Sequence, residues 1–433
     1  MAQRLAAYAA LPYPKVASIV FGLYLFILSS ILAQILTIYL GIPFPLVAFM
    51  LVVVAIFYFA AGNHARFIRS PFFWPWVLLW VWWTFAAVVG MYPGRSLPYM
   101  LTFGLRIHIL PFIACAIAVT APALINVTRG FAAGYLVILF MCFRYGQTRE
   151  NRFFIPETTL ANGNDLALHI VLGLCFVLIL IMRGRPFTRF ILAGGIPIMV
   201  YYVFRTGSRA NMLTLALLLG VCFLIMPVRW KIASIITSAA MAVMLFPLLP
   251  EGTVNRLFTF TQARTGTFDA MEAELSRQAV DSTNARLMLQ KRAIDLSLAN
   301  PLFGVGPLMF TDAVDSYVRE TEGRGSAWQV SHNSYLQVSS ETGIPGFLLY
   351  VWCIFLCIRT NFRCYREARR MNFHDEMALS AGLLLATITY AFGILFCSIA
   401  LDYYLAALVS FTSANALAQE DLRHYLQQRP QTV

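Results

Sequence analysis

Apolar residues run through this chain in long blocks, with polar residues confined to the stretches between them. The blocks fall near 16–40, 43–61, 72–92, 99–121, 122–143, 165–182, 187–204, 210–227, 231–249, 335–358, 377–400 and 402–418. Most approach the roughly 20 residues that an α-helix needs to cross a hydrocarbon core. Lipid offers backbone groups no partner, so each block reads as a helix. The pattern predicts an all-α, polytopic integral membrane protein with twelve transmembrane helices. Residues 1–249 hold nine of them, 250–334 form one large loop, 335–418 hold three more, and 419–433 are a tail. The loop is mostly helical: 268–280 and 282–299 read as helices, the second placing Ala285, Leu289, Ala293 and Leu296 on one face. Asn300–Pro301 stops that helix, and Gly304, Gly306 and Pro307 form a turn after it.

Composition agrees with the pattern. The 433 residues are 59% hydrophobic and 12% charged, a balance no soluble domain of this length has. A net charge of +12 would suggest nucleic acid in a soluble protein. Here the positive-inside bias explains it, and no nucleic-acid partner is expected. With the N-terminus inside, Arg66, Arg69, Arg129, Arg183, Arg189 and the 359–370 cluster all fall in connections on the cytoplasmic side. Both termini are then cytoplasmic. The eight cysteines lie in or beside apolar blocks and none in the large loop, which argues against a disulfide framework or a cysteine metal site. The run from Val16 to Leu40 is too long for a cleavable signal. There is no phosphate-binding loop of the ATPase type and no metal-ligand motif on the outer face, so neither a cofactor nor a metal is expected.

The exceptions to the charge rule point to chemistry. On the opposite face lie Arg144, Arg149 and Arg152, then Arg205 and Arg209 around the turn RTGSR, and a basic loop from Arg256 through Arg286 to Arg324. Guanidinium groups at a membrane face bind phosphate bidentately, which implies an anionic, phosphate-bearing ligand there. Arg205 and Arg209 flank a tight turn where Ser208 and free helix N–H groups add donors. Both arginines also fit the simpler role of anchors reaching back to the interface. Arg286 fits equally an ordinary solvated helix position.

His332 is the only histidine of the large loop, and an imidazole near neutral pH can act as general base. It stands just before SYLQVSSETGIPG, where about two helical turns should end in a break at GIPG. A broken helix at a membrane face is tolerated where it lines a cavity. Asn333 is either the cap of that short helix or a substrate contact. Within the apolar blocks the titratable groups are few, namely Arg106, His108, His169 and Asp165. Such residues are functional or paired.

The stretch HNSYLQVSSETGIPG resembles the H-N-x9-G-x-x-G signature of bacterial O-antigen ligases and of the wider ligase/polymerase superfamily. RTGSRANML resembles the Ser-Arg start of that superfamily's C-terminal region, although Ala210–Asn211 replaces the usual Gly-Ala. NARLMLQKRAIDLSLANPLFGVGP is similar to its loop segment. The resemblance implies an inverting glycosyltransferase in the bacterial inner membrane with its site facing the periplasm. Such an enzyme moves an O-antigen polysaccharide from undecaprenyl diphosphate to a sugar hydroxyl of lipid A–core, among membrane lipids, without metal or cofactor. It further implies that His332, Arg209 and Arg286 are the essential residues. Related readings are an O-antigen polymerase and a protein O-oligosaccharyltransferase. A transporter of lipid-linked glycans is the reading from a different class.

Overall fold

The computed structural model describes residues 15–43, 45–183, 185–225, 228–254, 270–323 and 330–428. Arg256 and Arg324 of the basic loop lie outside the described residues. Among the described residues each of the twelve apolar blocks falls largely on helix, and the only described strands form one short hairpin, Gln147–Arg149 with Arg152–Phe154. The protein is an all-α, polytopic membrane protein. Six described helices are long and apolar enough to cross a membrane unaided: Pro93–Ile117, Ala121–Tyr145, Gly163–Arg183, Pro186–Arg205, Ser334–Met371 and His374–Gly393. Lys15–Ser29 and Leu32–Ile38, bent by 53°, make a seventh if they are one span. Leu46–Ala61, Phe73–Val89 and Arg209–Ile225 are apolar but shorter.

The bend between Lys15–Ser29 and Leu32–Ile38 explains one intramembrane histidine. Ile31 takes a left-handed conformation (φ 50°), so the ladder of hydrogen bonds is interrupted there. His169 of the Gly163–Arg183 helix bonds the Ser29 carbonyl through Nε2 at 2.9 Å and Tyr404 Oη through Nδ1 at 2.8 Å. His108 is likewise enclosed, with Nδ1 2.7 Å from the Gly104 carbonyl and its ring among Trp76, Trp80 and Trp83. Both histidines are paired structural groups.

Contacts between connections sort into two ends. At one, Arg66 donates to Asp421 at 2.7 Å, Arg423 pairs with Glu367 at 3.1 Å, and Arg183 pairs with Asp375. These unite segments that the charge pattern assigns to one side. At the other, Tyr39 donates to the Pro156 carbonyl at 2.8 Å, Tyr92 meets Ser316 at 2.8 Å, and Arg95 pairs with Asp312.

The large loop differs from its expected layout. A single helix, Ala270–Ala299, replaces the two at 268–280 and 282–299, because no Gly or Pro interrupts the chain between them. Its Leu289 and Ala293 are buried against Phe310, Val314 and Val318 of a further helix, Phe310–Glu322.

The break expected at GIPG is present and is the joint between loop and membrane. Ser334–Met371 is two helices merged across Gly343, which sits at φ 74°, ψ 176°. Helix resumes at once after it and continues to Met371, taking in the basic 359–370 cluster that the hydropathy pattern placed in a connection. The break frees carbonyls at Ser340, Glu341 and Thr342. They accept from Val305 N at 2.9 Å, Gly306 N at 2.9 Å and Trp82 Nε1 at 2.9 Å. Ile344 N donates back to the Pro301 carbonyl at 2.8 Å. The two glycine motifs thus pair backbone to backbone, an approach only residues without Cβ allow. Glu341, itself buried, accepts from Leu308 N at 3.0 Å and Phe310 N at 3.3 Å, clamping the same turn.

A Cβ at Gly343 would lie 2.1 Å from the Leu302 carbonyl oxygen, in a conformation that is essentially glycine-only. Gly343→Ala is expected to cost at least the roughly 1–3 kcal/mol of backbone strain. The measurement is thermal unfolding in detergent, where a wild-type melting temperature would refute the account.

Candidate active site

His332 is held by the residues on either side of it. It adopts a left-handed conformation (φ 53°) immediately before the helix begins. Asn333 Oδ1 accepts from Tyr335 N at 2.9 Å and Leu336 N at 3.2 Å, which makes it the helix cap. Ser334 Oγ donates to the Cys397 carbonyl at 2.7 Å and accepts from Ile399 N at 3.0 Å, while Ser331 Oγ meets Ser398 Oγ at 3.0 Å. Ser331 and Ser334, on either side of the histidine, therefore hold it against the linker that joins His374–Gly393 to Tyr403–Gln428. Its Nδ1 is buried and meets no hydrogen-bond partner.

Arginines from two separate parts of the chain act on this ring. Burial pushes the His332 pKa down to about 4, and the charges of Arg286 and Arg152 push in the same direction. Burial also lowers the pKa of Arg286; Cys397 and Asp165 oppose this, and Arg209 adds to it. Arg286 of the loop helix thus acts on His332 and feels the charge of Arg209, while Arg152 of the hairpin also acts on the imidazole. The turn Glu150–Asn151, with φ of 51° and 57°, is what brings Arg152 back towards the bundle. Guanidinium groups acting on a buried neutral imidazole are the kind of arrangement that can hold an anion next to a proton acceptor.

The other candidates have different employment. Ser208 is buried, donates to Asn164 Oδ1 at 2.8 Å and accepts from Asn211 Nδ2 at 3.0 Å. It is a helix cap with its hydroxyl already engaged. Arg205 lies over the Phe153 ring at 4.4 Å and near Tyr201 at 5.9 Å, supporting the hairpin from below. Arg144 covers Tyr145 at 5.2 Å, and Arg149, 82% exposed, is 3.8 Å from Glu150. The basic cluster 144–152 thus divides, with Arg152 alone facing His332. Sequence reasoning did not give Cys397 or Asn164 a place at this site. No signal marked them, since each reaches it by packing of distant helix ends.

Helices long and apolar enough to cross a membrane thus meet a structured loop where arginines act on a buried histidine. Residues 194–351 match the family model described as O-antigen ligase, a match that supports a relation to the O-antigen ligase/polymerase superfamily. The matched stretch contains Arg209, Arg286 and His332. Arg152, Asp165 and Cys397 join the site from outside it. No curated protein matches the chain in a sequence search.

Because the imidazole pKa is lowered to about 4, His332 is a neutral acceptor throughout the ordinary imidazole range. Nuclear magnetic resonance of labelled histidine should show it unprotonated at pH 5.5. Bound inorganic diphosphate, by answering the arginine charges, should raise its pKa. Titration at the ordinary value of about 6.5 without ligand would contradict this geometry.

Proposed function

We propose that the protein is an O-antigen ligase, transferring a glycan from undecaprenyl diphosphate to a sugar hydroxyl of lipid A–core. The match to the superfamily supports glycosyl transfer of the ligase/polymerase type in general. The observation that supports the reading is the electrostatic grouping of Arg152 and Arg286 with the buried His332, and of Arg209 with Arg286.

In the proposed reaction the acceptor hydroxyl attacks the anomeric carbon from the face opposite the diphosphate. His332 takes the hydroxyl proton as the new C–O bond forms and the bond from the anomeric carbon to the diphosphate oxygen breaks. A single displacement inverts the anomeric centre. Diphosphate leaves as an anion, so its departure needs charge stabilisation more than protonation. Arg209 and Arg286, with Arg152 beside them, supply it from fixed positions. The three arginine charges less that of Asp165 match the two negative charges of a sugar diphosphate diester. Guanidinium groups thereby fill the part a divalent ion would otherwise take, and the reaction is proposed to run without one. In this reading the site faces the periplasm from the bacterial inner membrane, with both termini cytoplasmic. Acyl and prenyl chains stay among the apolar helices.

The test is transfer by purified, reconstituted protein offered lipid A–core, a second carrier-linked glycan, or a Ser-rich protein. Product on lipid A–core alone is the expected result; longer carrier-linked chains would make the protein a polymerase with the same site. His332→Ala should lose about 10²–10⁴-fold in rate, and Arg286→Ala about 10²–10³-fold, each with a wild-type melting temperature. Activity should survive chelation; loss restored by a divalent ion would sink the metal-free mechanism.

A further inference from the structure

The loop helix Ala270–Ala299 is held along one side and exposed along another. Leu289 and Ala293 are buried against the helix Phe310–Glu322, and Ser297 Oγ meets Ser339 Oγ at 2.9 Å. These contacts fix which way the rest of the helix faces. Among its side chains from Asn284 onward, Leu287, Ile294 and Leu298 are exposed, by 58%, 46% and 68%. At about 100° per residue the three share an arc of about 40°. Asn284, Lys291 and Asp295, also exposed, follow on one flank of that arc. The helix thus has an apolar edge bordered by a polar flank, the pattern of a helix lying in a membrane interface.

What covers the edge follows from where it leads. One turn beyond Leu298 stands Leu302, also exposed, in the turn whose Pro301 carbonyl accepts from Ile344 N at 2.8 Å. Ile344 is the first residue after the helix break, and it opens the outward face of the membrane helix. That face continues through Leu348, Trp352 and Phe355, spaced three or four residues apart and all exposed. Ser334–Met371 is long and apolar enough to cross a membrane, so lipid covers this face. The loop edge runs into the same face where Pro301 and Ile344 are bonded.

We propose that the apolar edge of the loop helix, Leu287, Ile294 and Leu298, rests in the acyl layer of the leaflet on its side of the membrane. The partner of this surface is then the lipid itself. Lys291, beside the edge, lays its methylene stem on the acyl chains and carries its ammonium to the level of the phosphates. Arg286 immediately precedes Leu287, so the depth of the edge sets the depth of Arg286. This lipid contact follows from packing and is independent of the reaction the site performs.

The test places a nitroxide label at Leu298→Cys in full-length protein held in nanodiscs of phosphatidylethanolamine and phosphatidylglycerol, which leave both membrane faces open to solvent. Wild type treated with the same label supplies the background, since its eight cysteines are buried or half-buried. Oxygen, which concentrates among acyl chains, should relax the label more strongly than a water-soluble nickel chelate does. The same label at Ala299→Cys, exposed and about 100° around the helix, should show the reverse order. A label at 298 relaxed mainly by the chelate lies in water and overturns the proposal. One shielded from both reagents is covered by protein, such as a second copy of the chain, and overturns it equally. Preference for oxygen at both positions would mean immersion of the whole helix end, which also refutes an edge-on contact. Should Leu298→Cys not fold, Leu287→Cys carries the same test with the same outcomes.

Discussion

The hydrogen bonds around Gly343 are what the rest of the molecule depends on. A helix broken where it enters a membrane strands backbone carbonyls that lipid cannot satisfy. Here the partners come from the turn at 301–306 and from Trp82, so the loop is tied to the bundle through the same groups that the break exposes. Glu341 adds a second tie through its carboxylate. The arrangement fixes the loop helix Ala270–Ala299 relative to the start of Ser334–Met371. Arg286 lies on the first of these and His332 just before the second. The break is therefore both a membrane solution and a ruler that sets the distance between two site residues.

Charge follows from that frame. An imidazole surrounded by guanidinium groups and partly withdrawn from water stays neutral, which is the form a general base needs. The same arginines make the pocket attractive to an anion, whose arrival would soften the field on the histidine. Binding and proton transfer are thus coupled through a few charges. This is why the superfamily match and the geometry point the same way although they rest on different residues: the match spans 194–351, while Arg152, Asp165 and Cys397 join the site from beyond it.

Much of this was legible in the chain. Hydropathy alone located every apolar helix, because the requirement that lipid-exposed backbone bond internally leaves no other conformation. The GIPG break was legible too, although it falls on Gly343 alone, and Pro345 and Gly346 lie in the helix that resumes after it. Arginines on the side where the topological bias disfavours them marked the anion site. The loop was less legible. Polar residues at 281–283 read as a helix start, yet nothing there stops the preceding turn, and the chain runs through as one helix. Ser208 and Asn333 carry the residue types of ligand contacts and caps alike, and only their neighbours show that both are caps.

By itself, then, the sequence determined the class of fold and the place of the helix break, and it proposed His332, Arg209 and Arg286 as site residues. These are local properties, set by hydropathy, backbone conformation and charge along the chain. Which arginines face the histidine is not local. Arg149 and Arg152 are indistinguishable by spacing, and only the hairpin turn sends one outward to Glu150 and the other towards His332. Arg205 and Arg209 bracket one turn, yet packing sets the first over Phe153, while the charge of the second acts on Arg286. Asp165 enters the site because a helix end is buried beside two others. Such choices depend on which distant elements share an interface, and that is decided when the chain packs.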